Sequence, residues 1–407
     1  MAGTNQGSPG VPGTPRVLRA MNDRAALDLL LEHGTLSRTR IGELTGLSKP
    51  TASQLLARLE AAGLVVVTGT SAGRPGPGAQ LYSLNARAAH AAALDVNQHR
   101  VRAAVADITG AVVGEFELRT GGRGGPGVVR QVGDALDGAV KAAGLTRADV
   151  RRLVIGTPGA FDPATGRLRY ASHLPGWHSP TLLAELAAAL PMPFEYENDV
   201  NLAAVAEQRL GAARGHADFA LLWNEEGIGA ALVLGGRLHR GFTGGAGEVG
   251  FLPVPGTPLV RQVTKANSGG FQELAGVRAV PRLAREVGIG TPEQPSVEVA
   301  GDLLARAAEV QGDDGRYAEL LDRYAERLAT GLASLVAVLD PELIVLSGGV
   351  LVAGGEPLRA RVQSELADLA ASRPRLVLTA VPESPVLRGA LESALATTRD
   401  EVFDTSR

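Results

Sequence analysis

Apolar positions from residue 15 to about residue 63 recur at helical spacing, and those that follow alternate between short β-like runs and helices. Pro15 follows Thr14, a hydroxyl residue suited to N-cap a helix, and Leu18, Met21, Ala25 and Leu29 then repeat every three or four residues up to Gly34. Ser37 can cap a short second helix that carries Ile41 and Leu44 and ends at Gly46. Ser48 can cap a third, whose Ala52, Leu55, Leu56 and Leu59 form an i, i+3, i+4, i+7 stripe stopped by Gly63. Two β-like runs, Leu64 to Val67 and Leu81 to Leu84, flank the Gly/Pro-rich stretch Gly69 to Gly78 and read as a hairpin. The pattern predicts three helices plus a wing over residues 15–86.

From His90 onward the grammar changes. Ala91 to Asp95, Arg100 to Asp107 and Ala111 to Leu118 are β-like runs, followed by a helix (Gly127 to Ala143) and a strand (Leu153 to Gly156). The strand Phe194 to Glu197 precedes a helix from Val200 to Leu210, and a second hairpin covers Ala220 to Leu238. Helices near Phe271–Val287, Val297–Val310 and Tyr317–Val338 lead to a buried strand, Leu343 to Leu346, and the last helices. Strands followed by helices occur twice, which points to two α/β lobes of related design with a cleft between them. The lobes are expected at residues 87–200 and 201–396, with the C-terminal helix returning to the first lobe, and with tails at residues 1–14 and 397–407.

Composition narrows the class. A chain of 407 residues is long enough for two or three cores, and 45% hydrophobic with 20% charged residues is an ordinary globular balance. No apolar run reaches the ~20 residues of a membrane helix. The first 14 residues have neither a basic start nor an apolar segment, so they read as a disordered tail and not as a signal peptide. With no cysteine there is no disulfide and no thiolate metal site. A cytoplasmic protein, with no membrane partner, is the expectation. Charge is asymmetric: nine basic and five acidic side chains through His90 give the head +4, on a chain that totals −3. A cationic head on an anionic body fits a phosphate-binding module joined to a soluble sensor or enzyme.

The segment from Leu36 to Val65 has helix–turn–helix grammar, with a tight turn at Thr45-Gly46-Leu47 and a longer second helix placed to enter a major groove. Opposite its apolar stripe lie Ser48, Lys49, Thr51, Ser53, Gln54 and Arg58, short hydrogen-bonding groups with a basic residue at either end. Arg38 opens the preceding helix, and Arg74 on the wing tip has the reach for a minor groove or phosphates. Double-stranded DNA is the partner this implies. A protein-binding winged helix is the alternative.

In the body, the ordered stretches ALDVNQHRVRAAVADITG, IGTPGAFDPATGRLRYASHLPGW, EYENDVNLAAVAE, GIGAALVLGGRLHRGFTGGAGEVG, GGFQELAG and LDPELIVLSGGV resemble the ROK family of bacterial sugar kinases and sugar-responsive repressors. The resemblance implies an α/β class with an N-terminal winged helix–turn–helix and a two-lobed, actin-like (ribonuclease-H-like) sugar-kinase fold. It implies a sugar between the lobes, held by Asn198, Asp199, Glu248 and Glu273 with Gly159 on an approaching loop. Convergent carboxylates and amides suit vicinal hydroxyls. On the residues alone, Asn198 and Asp199 also suit the cap of the following helix, and Glu248 a solvated loop.

Departures from the family pattern carry the functional expectation. Where the kinases have a glycine-rich phosphate loop, this chain has Asn97-Gln98-His99 after a retained Asp95. Where they have Gly-Thr-Gly, it has Glu225-Glu226-Gly227, carboxylates that repel a triphosphate. Phe251 stands in place of the family's metal-binding histidine, and RQVTKANSGGFQE contains none of its cysteines, so no metal and no cofactor are expected and Phe251 and Phe271 are expected to staple the region instead. The reading is a DNA-binding regulator, a repressor by family default, with a sugar effector, no enzymatic activity and a homodimer or dimer of dimers. Alternatives are a ligand-independent DNA binder using the body for oligomerisation, and an active sugar kinase.

Overall fold

The serines at the expected helix starts do cap them. In the computed structural model, Ser37 Oγ accepts the Arg40 N–H at 3.2 Å and Ser48 Oγ the Thr51 N–H at 3.4 Å. The structure describes residues 15–71, 79–120, 127–162, 167–169, 174, 176, 177, 179–261, 269–310 and 315–405. The head comprises α1 (Pro15–His33), β1 (Leu36–Ser37), α2 (Arg38–Thr45), α3 (Lys49–Ala61), β2 (Val65–Thr70) and β3 (Gln80–Leu84). Gly46 closes α2 with a left-handed backbone. The wing is a three-stranded sheet in the order β1-β3-β2, one strand more than the hairpin expected. Leu27, Leu30, Ile41, Leu55, Leu56 and Leu59 form the head's core. Thr14 and the wing-tip Arg74 lie outside the described residues.

The first lobe runs β4 (His90–Val96), β5 (Arg100–Asp107), β6 (Val112–Arg119), α4 (Val128–Ala142), β7 (Val150–Thr157), the ribbon β8 (Ala160–Asp162) and β9 (Arg167–Arg169), α5 (Leu182–Ala189), β10 (Phe194–Asn198) and α6 (Asp199–Leu210). The second runs β11 (Phe219–Asn224), β12 (Ile228–Leu234), β13 (Arg237–Leu238), α7 (Gly270–Ala275), α8 (Ala279–Glu286), α9 (Val297–Glu309), α10 (Gly315–Leu339), β14 (Leu343–Ser347), α11 (Gly349–Leu369), β15 (Arg375–Leu378) and α12 (Pro385–Val402). The sheets are ordered β10-β7-β4-β5-β6 and β13-β12-β11-β14-β15. Each is an antiparallel three-strand meander whose first strand continues into two parallel strands. The two lobes therefore share one topology, the actin-like duplication.

The last helix of each half crosses over. Val200, Ala203 and Ala204 of α6 pack with Phe219, Leu221 and Val345 of the second sheet. Val386, Leu387 and Ala390 of α12 pack with Ala91, Ala104 and Val154 of the first. The two helices meet where Gly389 lies against the backbone of Leu202; a Cβ there would stand 1.8 Å from the Leu202 carbonyl oxygen, so only glycine permits this approach.

Two expectations need correction. The apolar pattern from Phe271 to Val287 is two helices, α7 and α8, because Gly276 takes an extended conformation between them (ψ 173°) while both halves bury onto one core. Residues 397–405 are no tail: α12 continues to Val402, and Phe403 is 1% exposed within the head's core. An apolar side chain just past the end of α12 finds its pocket in another domain, which periodicity within one segment does not reveal. Among the described residues no helix is long and apolar enough to cross a membrane.

Candidate functional site

On the head, α3 turns its apolar stripe inward and leaves Lys49, Thr51, Gln54 and Arg58 exposed, with Arg38 exposed at the start of α2. Their roles differ. Ser48 is spent on the cap, with its Oγ 2.8 Å from Thr51 Oγ1, and Ser53 Oγ donates to the Lys49 carbonyl at 2.9 Å. Arg58 Nη2 donates to Asp23 Oδ1 of α1 at 2.6 Å, and the Asp23 side chain is 5% exposed. Arg58 thus ties the recognition helix to α1, a role the sequence did not signal. Lys49 and Gln54 project from the face with no bond to another described side chain that would hold them back.

In the body, Asn198, Asp199 and Gly159 gather at the C-terminal ends of the adjacent parallel strands β10 and β7, where α/β sheets present ligand crevices. Asn198 does both things its type allows. As N-cap of α6 its Oδ1 accepts the Asn201 N–H at 3.0 Å, while its Nδ2 donates to the Gly159 carbonyl at 3.1 Å and to Asp199 Oδ1 at 3.0 Å. Asp199 Oδ1 also accepts the Val200 N–H at 2.8 Å. These bonds fix the loop, the strand end and the helix start against one another.

Glu248 arrives from the second lobe. Gly247 makes that possible: its φ is +93°, and a Cβ there would lie 1.9 Å from the Ala230 carbonyl oxygen on β12. Gly159, Asn198, Asp199 and Glu248 line one cavity of about 150 Å³ between the lobes. Glu273 is not among the residues lining that cavity. It sits on α7 with its carboxylate 4.0 Å from Arg282 Nη1, while its neighbour Gln272 accepts the Ile228 N–H at 2.6 Å. Phe271 is fully buried in the second lobe's core, whereas Phe251 is only half-buried, so of the two Phe271 is the core residue. Trp223, which faces this cavity and the next, was missed; a tryptophan near the end of an apolar strand, two residues before Glu225-Glu226, was the available signal.

Electrostatics make the cavity unusual. Burial, reinforced by the nearby carboxylates of Asp95, Glu248 and Glu226, pushes Asp199 up to about 8. Burial also raises Glu248. A carboxyl that holds its proton near neutrality, as Asp199 does, can donate one hydrogen bond as well as accept, which suits a hydroxyl-rich ligand.

A larger cavity of about 500 Å³ opens from the smaller one and shares Asp199, Trp223, Glu225 and Glu226 with it. Several of its polar groups are already engaged. Asn97 Oδ1 accepts both the His99 and the Arg100 N–H at 2.9 Å. Glu225 Oε1 accepts the N–H of Gly349, the first residue of α11, at 2.6 Å. Arg102 Nη2 lies 3.6 Å from Asp95 Oδ2, its cross-strand partner. Burial raises Asp95, and the Arg102 and Arg100 guanidinium groups oppose that shift.

The ROK family model matches residues 91–396 and that of the MarR family residues 21–74. A glucokinase from Halalkalibacterium halodurans is 28% identical over 65% of this chain and 82% of its own length. A xylose repressor from Caldicellulosiruptor bescii is 25% identical over 82% of this chain and 84% of its own. The fold matches the crystal structure of a ROK family transcriptional regulator, a homologue of the E. coli MLC protein, with a TM-score of 0.70 over 95% of this chain and 97% of that one at 18% identity. The chain belongs to the ROK family and carries a MarR-type winged helix ahead of its ROK body.

Proposed function

We propose that the protein is a DNA-binding transcriptional regulator, of the repressor type, whose body binds a sugar between its lobes without phosphorylating it. The head reads a duplex as part of a homodimer, with Lys49, Thr51 and Gln54 toward base edges and phosphates and Arg38 toward the backbone. Asn198, Asp199 and Glu248 hold the sugar hydroxyls, with Gly159 closing the site.

The observation that carries the non-kinase reading is the occupied state of the larger cavity. Nucleoside triphosphate handling needs free backbone N–H groups, an unfilled helix N-terminus and carboxylates open to a cation. Here Asn97 consumes the turn's N–H groups, the Glu225 carboxylate occupies the α11 terminus, and Arg102 supplies a fixed cation beside Asp95. Each requirement is met from within the chain.

One observation favours the kinase alternative: Asp199, at about 8, lies close enough to neutrality for its ionised fraction to take a hydroxyl proton. Thermal melts with D-glucose, D-xylose and Mg·ATP separate the readings. A sugar that binds the native state raises Tm by linkage while Mg·ATP leaves it unchanged and no ADP appears. Sugar-dependent ADP release would establish a kinase. A Tm unmoved by any sugar, together with retained duplex binding, would favour the ligand-independent reading.

A further inference from the structure

We infer that α12 and the residues after it form the strut that fixes the DNA-reading head on the body, and that Asp23 and Phe403 are positioning residues for the recognition helix α3. The inference rests on the DNA-reading function proposed above.

At its start, α12 borders the cleft. Ser384 and Pro385 line the larger cavity, and Arg102 Nη1 donates to Ser384 Oγ at 2.5 Å. Its 18 residues span about 27 Å at ~1.5 Å per residue. At its end, Arg399 Nε donates to the Ile108 carbonyl at 2.9 Å, and Ile108 itself belongs to the head's core. Asp400 pairs with Arg24 of α1 at 2.9 Å, and the Arg24 guanidinium stands 5.6 Å over the Phe403 ring. Phe403 is buried among the head's leucines.

Asp23 is the junction. One carboxylate oxygen accepts Arg58 of α3 at 2.6 Å and the other accepts Thr405 Oγ1 at 3.1 Å. A single buried side chain thus joins α1, the recognition helix and the chain end that follows α12. A body that only dimerised the heads would need no such junction; a tether would serve.

The cleft end is equally stiff. The backbones of α6 and α12 touch at Leu202 and Gly389. Glu207 of α6 is fully buried and accepts the Ala380 and Val381 N–H groups at 3.0 Å each, just before α12. The helix that begins at Asn198 and Asp199 therefore abuts the helix that ends in the head, so a shift of that helix start is passed through α12 to α3.

The absence of cysteine permits a direct test. Spin labels go on Glu60→Cys in the head and Glu115→Cys in the body, both exposed positions, in the full chain. Mixed with an excess of unlabelled chain, so that a dimer holds at most one labelled protomer, the parent gives one narrow interlabel distance. Phe403→Ala broadens it at least twofold and weakens, by tenfold or more, binding to a duplex that the parent selects from a randomised pool; Phe403→Leu restores both. A distribution as narrow in Phe403→Ala as in the parent overturns the inference. Should Phe403→Ala unfold the head, as circular dichroism and amide exchange would register, Asp23→Asn decides: it keeps the volume and weakens both bonds, so broadening supports the strut and an unchanged width overturns it. If the parent selects no duplex, the DNA-reading proposal fails, while the label distances still judge the strut.

Discussion

On α3, Lys49 and Gln54 stand exposed with no described side chain holding them back, whereas in the larger cavity Asn97, Glu225 and Arg102 are each bonded to a group of the chain itself. Both regions are rich in polar side chains on or near helix starts, and composition alone would rate them alike. What separates them is whether the hydrogen-bonding capacity is left over. A surface that reads an outside partner must leave donors unspent, since each must be desolvated and re-paired on binding. A site whose donors, acceptors and charges are closed on one another has lost its outside partner, and a ligand entering it would first have to break those bonds.

The comparison breaks most plainly at α3. Lys49→Ala combined with Gln54→Ala should weaken specific duplex binding by about 100-fold or more, since each base or phosphate contact is worth roughly 1–3 kcal/mol. Fluorescence anisotropy across a salt series measures it; the slope of log affinity against log salt should flatten by about one unit for the lost lysine. Unchanged affinity would remove α3 from the interface. Next in size is Glu225→Ala with Asn97→Gly, which reopens the helix terminus and the turn. It should cost roughly 1–2 kcal/mol of stability, because a carboxylate at a helix N-terminus is favourable. It should also make Tm respond to Mg·ATP, where the parent's is expected to stay unmoved. A reopened site that still ignores Mg·ATP would mean that the cavity's shape, and not its occupancy, excludes the nucleotide.

Smaller again is Ser48→Ala, which tests the same contrast within the head. Its Oγ is used as the cap of α3, so the change should lower stability by about 1 kcal/mol and leave affinity within a few-fold, unlike its neighbour Lys49. Urea denaturation beside anisotropy reads both. A large affinity loss without a stability loss would return Ser48 to the contact surface.

The same division between used and unused groups explains what could be read from sequence. The head was legible because cap, stripe and stop of its long helix all lie between Ser48 and Gly63, and short-range periodicity reports them. The gathering of Gly159, Asn198, Asp199 and Glu248 was legible only through the resemblance, since three separate stretches and both lobes contribute. Lost to both routes were the partners fixed by the tertiary fold: Arg58 on Asp23, Glu225 on Gly349, Phe403 in the head's core, and Glu273 turned toward Arg282. Sequence gives the type of a polar side chain, and only the fold tells whether that side chain is already engaged.

The smallest effect expected concerns Asp199, which sits between the two categories: one oxygen is bonded internally to Asn198 and Val200, and the group still lines the cavity. Its pKa is raised from the model-peptide value of 3.8 to about 8, chiefly by burial and further by the neighbouring carboxylates. A carboxyl raised on folding favours the native state fully below the unfolded value, and that contribution is lost as pH climbs from about 4 through about 8. Asp199→Asn keeps the position neutral at every pH and retains an oxygen for the Val200 N–H. The variant's Tm should therefore exceed the parent's by a few degrees near pH ~9, and the gap should close toward pH ~4. Duplex binding should be unchanged, because the head is untouched, while any sugar-induced rise in Tm should be lost. A gap of equal size at both ends of the range would mean that the Asn side chain acts through packing and that Asp199 carries no excess charge cost, leaving it as little more than the first residue of α6.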